Sequence, residues 1–170
     1  MSGKFMTALV ATAALTFGGA AFAQTATGAS DYVMKAGASD QYEMQSSQLV
    51  LQSTSDAKVK NFANKMIKDH TKSTAMVKAA AMKDGMNPPP PALDADGQQM
   101  ISQLQGATGA DRDKMYMQQQ MMAHDKALAL HQDYSKSGDS KPLKMAAGKI
   151  VPVVQSHKTM LGSMPGMSGM

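Results

Sequence analysis

The stretch MQQQMMAHDKALALHQDY, Met117 to Tyr134, decides how the chain is read. At helical spacing Met117, Gln120, Met121, His124, Ala127, Leu128 and His131 fall on one face. That face is mostly apolar, yet it carries two imidazoles. A buried helix with polar groups on its inner side needs partners that answer them.

Working outward, the spacing predicts a helix from about Ala110 to Ser137, stopped by Gly138. Ser140 and Pro142 stand at the next N-terminus, where a missing N–H costs nothing. The helix after it presents Leu143, Ala146, Ala147, Ile150, Val153, Val154, His157, Met160 and Leu161. Upstream, Ser30-Asp31 is the expected cap of a first helix running to about Thr54. Its face carries Val33, Ala36, Asp40, Glu43, Ser47, Val50 and Leu51. Ser55-Asp56 opens a second, with Val59, Phe62, Ala63, Met66, Ile67, His70, Thr74 and Val77 on its stripe. Gly85 and the run Pro88 to Pro91 end it. Leu93-Asp94 begins a short extra helix closed by Gly106 and Gly109. No alternating strand pattern competes with these helices.

Short links join helices one and two and the last two long helices, while a long proline-bearing connection separates the hairpins. The expected fold is all-α: a ferritin-like up-down four-helix bundle with a long crossover containing a short extra helix. Expected boundaries are a signal peptide at 1–23, a disordered segment at 24–30, the bundle at 31–163 and a flexible Met/Gly-rich tail at 164–170. The leader reading rests on Lys4, the apolar run Phe5 to Ala20, and Ala21-Phe22-Ala23 before Gln24. It implies cleavage after Ala23 and a periplasmic or secreted protein.

The 170 residues carry a net charge of +4 with few aromatics, and the charges are scattered, so nothing has the form of a nucleic-acid footprint. No segment after the leader is apolar enough to cross a bilayer. Without cysteine no disulfide forms, and the soft ligands available are thioethers. Methionine is abundant, at 18 residues, and most of it reads as core filling. Met160, Met164, Met167 and Met170 form a C-terminal series that reads as a tail following the same bias. Pro152 reads as a kink eased by the glycine at 148.

Helix heights place the polar groups. Along the first hairpin, Glu43 and His70 lie roughly 18 and 22 Å from the turn near Ser55. Along the second, His124 and His157 lie roughly 22 and 27 Å from the turn near Asp139. Glu43, His70, His124 and His157 therefore meet near mid-bundle as candidate metal ligands. His131 stands about 10 Å from His124 along the axis, too far to share one ion. Met66, Met121 and Met160 neighbour the histidines at helical spacing. Imidazole with thioether puts copper ahead of zinc or mononuclear iron. Asp69 and Asp125 adjoin His70 and His124 in sequence and read as surface groups or outer hydrogen-bond partners.

With these residues in view, the chain resembles the ferritin-like proteins of domain-of-unknown-function family 4142, often labelled predicted outer-membrane proteins. The resemblance spans about Asp31 to Leu161. It rests on Glu43, Asp69-His70-Thr71, LDADGQQMISQL, Asp113 with Tyr116, AHDKALAL with His124, and IVPVVQSH with Pro152 and His157. It implies the family's fold and brings no established activity. Di-iron ferritin-like proteins use Glu-x-x-His, but Ile67 and Val154 stand where those carboxylates belong. The sequence thus points to a metal-binding bundle in buffering or envelope stress protection. The alternative is a non-catalytic structural or envelope-interaction protein whose polar layer specifies helix register. A redox enzyme is a weaker third reading. No Ser-His-Asp pattern, phosphate loop or paired carboxylate marks a hydrolase or kinase.

Overall fold

A helix begins where a side chain can take up its unpaired N–H groups, and three of the five helices among the described residues do so with an expected cap. The structure, a computed structural model, describes residues 27–164. Helix α1 spans Ala29–Val50, α2 Ala57–Lys83, α3 Ala95–Gln105, α4 Gly109–Ser137 and α5 Lys141–Gly162, with no strand among the described residues. Asp56 accepts from the N–H groups of Lys58 and Val59, Asp94 from Gly97, and Ser140 from Leu143. The start of α1 differs from the expectation. Gly28 is its N-cap without a side-chain bond, and Asp31 lies in the first turn, where it pairs with Lys35 at 2.8 Å. A carboxylate there still faces the positive end of the helix dipole. Gly85, at φ 78°, takes the left-handed conformation just past α2, as its position before the prolines predicts.

Helix α1 packs along α2 and α4, and α5 packs along α4 and α2. A ladder of side-chain bonds sets the direction of α1 against α4. Tyr32 meets His131, Tyr42 meets Gln119, Ser47 meets Tyr116 and Thr54 meets Asp113. Rising numbers on one helix meet falling numbers on the other, so the pair is antiparallel. The chain therefore leaves α2 at one end and enters α4 at the opposite end. The prolines and α3 make that journey. Pro91 lies against Gly37, where a Cβ would stand 3.3 Å from it. At the far end Arg112 donates to the carbonyls of Leu104, Ala107 and Leu49, tying α3 and the end of α1 to the start of α4.

Two apolar clusters fill the interior. One holds Tyr32, Val77, Ala81, Tyr134, Leu143 and Ile150; the other holds Val50, Phe62, Met66, Leu104, Tyr116 and Leu161. Asp40, Glu43, Ser46, His70, Gln120, His124 and His157 are buried as well, but belong to neither. Val153 departs from its expected stripe and is 40% exposed, because Ile150, Val154, His157 and Leu161 already occupy the inner face. Met164, read from sequence as tail, is buried in the second cluster. The leader, Met167 and Met170 lie outside the described residues. No described helix is long and apolar enough to cross a membrane.

Candidate metal centre

Histidine reaches the middle of the bundle from three helices. His70 of α2, His124 of α4 and His157 of α5 each offer one ligand atom, and the three atoms lie within 4.8 Å of one another. The ring centroids form a near-regular triangle with sides of 5.7, 5.6 and 5.3 Å. Phe62 closes one side, 6.2 Å from His124 and 6.5 Å from His157.

Hydrogen bonds on the outer edges assign the ring protons. His124 Nδ1 is 2.8 Å from the Gln120 carbonyl, which only accepts, so Nδ1 carries the hydrogen. His157 Nε2 is 2.9 Å from Asp69 Oδ2 and donates to it. His70 Nδ1 is 2.7 Å from Asp40 Oδ1 and donates likewise. The remaining nitrogens have no partner outside the trio. His124 Nε2 and His157 Nδ1 stand 3.2 Å apart, and His70 Nε2 has no hydrogen-bond partner. Outer acceptors that fix each ring's tautomer and orientation are the usual support of metal-bound histidine.

Burial, joined by the charge of His70, pushes His124 down to about 3. Burial also lowers His157 to about 4, against the pull of Asp69. Both rings are therefore neutral at pH 7, and two lone pairs face each other. His70 differs: burial opposes its charge, but the Asp40 bond and the charges of Glu43 and Asp40 outweigh it and raise its pKa.

Glu43 stands beside the trio rather than within it. Its Oε1 is 3.3 Å from His124 Nδ1, on the ring edge away from the inward nitrogen. Neither carboxylate oxygen has a hydrogen-bond partner, and burial pushes the group up to about 7. His131 is also apart, its Nδ1 hydrogen-bonded to the Tyr32 hydroxyl at 2.9 Å. Met66 is buried in the adjoining apolar cluster, and Met121 and Met160 pack partly buried against it. Asp69 is the outer partner of His157, whereas Asp125 pairs with Lys158 at the surface. Sequence spacing puts Asp40 and Gln120 on inner stripes and assigns them no role. The available signal was a carboxylate on a buried face three residues before Glu43.

The family described as Domain of unknown function (DUF4142) matches residues 15–164. The chain belongs to that family. No curated protein and no solved structure matches it. The Asp113 and Tyr116 pair that carried part of the resemblance has a structural place in this DUF4142 chain. Asp113 accepts from Thr54 and Tyr116 bonds Ser47, which holds the start of α4 against the end of α1.

Proposed function

We propose that this DUF4142 protein is an exported, ferritin-like four-helix bundle that binds one transition-metal ion through His70, His124 and His157. The observation that carries the reading is the convergence of inward ring nitrogens whose outer edges are already engaged as donors. Two neutral imidazoles with opposed lone pairs repel unless a cation sits between them. A divalent or monovalent metal supplies it, and the buried carboxylate of Glu43 balances its charge from beside His124. The crossover geometry and the antiparallel hairpins support the ferritin-like arrangement.

Three imidazoles suit copper and zinc alike, and no carboxylate bridge for a di-iron centre is present among the trio's neighbours at 67 and 154. Metal buffering or envelope protection is the role we assign to this site. Export rests on the leader pattern of the first 24 residues. The test is metal analysis of protein produced without a histidine tag, followed by competition between copper and zinc. Stoichiometric metal that disappears in His70→Ala supports the reading. A wild type that takes up no metal under any loading condition leaves a polar layer that specifies helix register.

A further inference from the structure

A cleft of about 570 Å³ opens between α2 and α5 beside the trio. Lys65, Lys72 and Lys149 stand around it, and Met76, Ile150 and Pro152 give it an apolar floor. Among the described residues only Lys65 of these lysines has an ion-pair partner, Asp69. Asp69 is also the single acidic side chain lining the cleft, which leaves a surplus of positive charge. Ser73 lines the same cleft; it is 8% exposed, and its hydroxyl has no hydrogen-bond partner. A hydroxyl in that state can donate to an anion that the lysines attract.

The cleft meets the trio at one atom. Asp69 Oδ2 receives both Lys65 Nζ, at 2.7 Å, and His157 Nε2, at 2.9 Å. We infer that the cleft binds a small organic anion, an oxyanion head on a short apolar body, and that this occupant tightens metal binding at the trio. The head pairs with the lysines and accepts from Ser73, while the body covers Met76, Ile150 and Pro152. An anion that engages Lys65 withdraws it from Asp69 and leaves Oδ2 to His157. A carboxylate bonded to one imidazole N–H raises the basicity of the other ring nitrogen, here the inward Nδ1. Negative charge added beside the trio also favours a bound cation. Both effects act in the same direction. The anion site stands on the cleft's own chemistry; only its coupling rests on the metal reading.

Calorimetric titration of phenyl phosphate into the metal-free and zinc-loaded protein tests both parts, with inorganic phosphate as the head-group control. Lys72 and Lys149 are exposed, so the double variant Lys72→Gln/Lys149→Gln keeps the core intact. Phenyl phosphate is expected to bind the metal-free protein with one site, and the double variant to bind it about tenfold more weakly. Zinc loading is expected to tighten phenyl phosphate about fivefold, and by reciprocity phenyl phosphate tightens zinc equally. No binding, or equal binding by wild type and double variant, overturns the site. Inorganic phosphate binding as tightly as phenyl phosphate overturns the apolar body. Anion affinity unchanged by bound zinc overturns the coupling. A protein that takes up no zinc fails the metal reading while the metal-free titration still decides the anion site.

Discussion

His124 Nε2 and His157 Nδ1 face each other at 3.2 Å while the second nitrogen of each ring donates outward, to Gln120 and to Asp69. With both rings neutral and their outer nitrogens donating, two acceptor nitrogens share the space between them.

The first prediction contrasts two histidines of one helix. His124→Ala removes a converging ligand and should lower metal affinity by orders of magnitude. His131→Ala removes a buried bond to Tyr32 and should cost about 1–3 kcal/mol of stability while metal is retained. Metal stoichiometry and thermal shift, measured side by side, read the difference. Equal metal loss in both variants would relocate the site.

Asp40 holds His70 through Oδ1 and Thr74 through Oδ2, at 2.7 and 2.9 Å. Asp40→Asn weakens the charge-assisted bond that orients the imidazole. Metal affinity should fall about tenfold or more, with the helical content unchanged. Competition with a chromophoric chelator, alongside circular dichroism, checks both halves.

Glu43 should trade stability for binding. Its folded pKa is raised to about 7, so its contribution to stability is full below the unfolded value of 4.5 and is lost as pH rises through 7. In metal-free protein at pH 8, Glu43→Gln should therefore raise stability by about 2–3 kcal/mol. The same variant should bind metal more weakly, because the compensating negative charge is gone. Urea unfolding with and without metal gives the two signs.

His131 predicts an acid response that is separate from the metal. Burial holds it down to about 4 from an ordinary value of 6.5, so its contribution is complete above pH 6.5 and is lost as pH falls through 4. The loss amounts to about 3 kcal/mol. His131→Gln, which keeps a hydrogen-bonding side chain for Tyr32, should flatten that share of the acid limb in metal-free protein. An unchanged pH profile of stability in this variant would contradict the assignment.

Arg112 carries the crossover. Its guanidinium donates to the carbonyls of Leu104, Ala107 and Leu49 and to the Ser53 hydroxyl. Arg112→Met leaves these acceptors without their charged donor and should cost about 3 kcal/mol in urea unfolding, with the metal stoichiometry unchanged.

Helix type, order and most ends followed from local chemistry. Asp56, Asp94 and Ser140 cap with atoms a few residues away, and Gly85 needs only its own backbone freedom, so a linear reading reaches them. The meeting of His70, His124 and His157 was legible for a related reason: a rise of about 1.5 Å per residue turns chain length into height. Height does not say which edge of a ring faces inward. That Asp40 and Asp69 take the outer nitrogens, that Glu43 stands behind His124, and that Val153 is displaced from the inner face depend on the rotation of each helix about its axis. Packing against neighbouring helices sets that rotation, and residues 30 to 88 positions apart in the chain supply the contacts. The sequence by itself determined the helices and the level at which the polar groups meet; only the tertiary structure decided which atoms meet there, because side-chain direction is a property of the packed bundle.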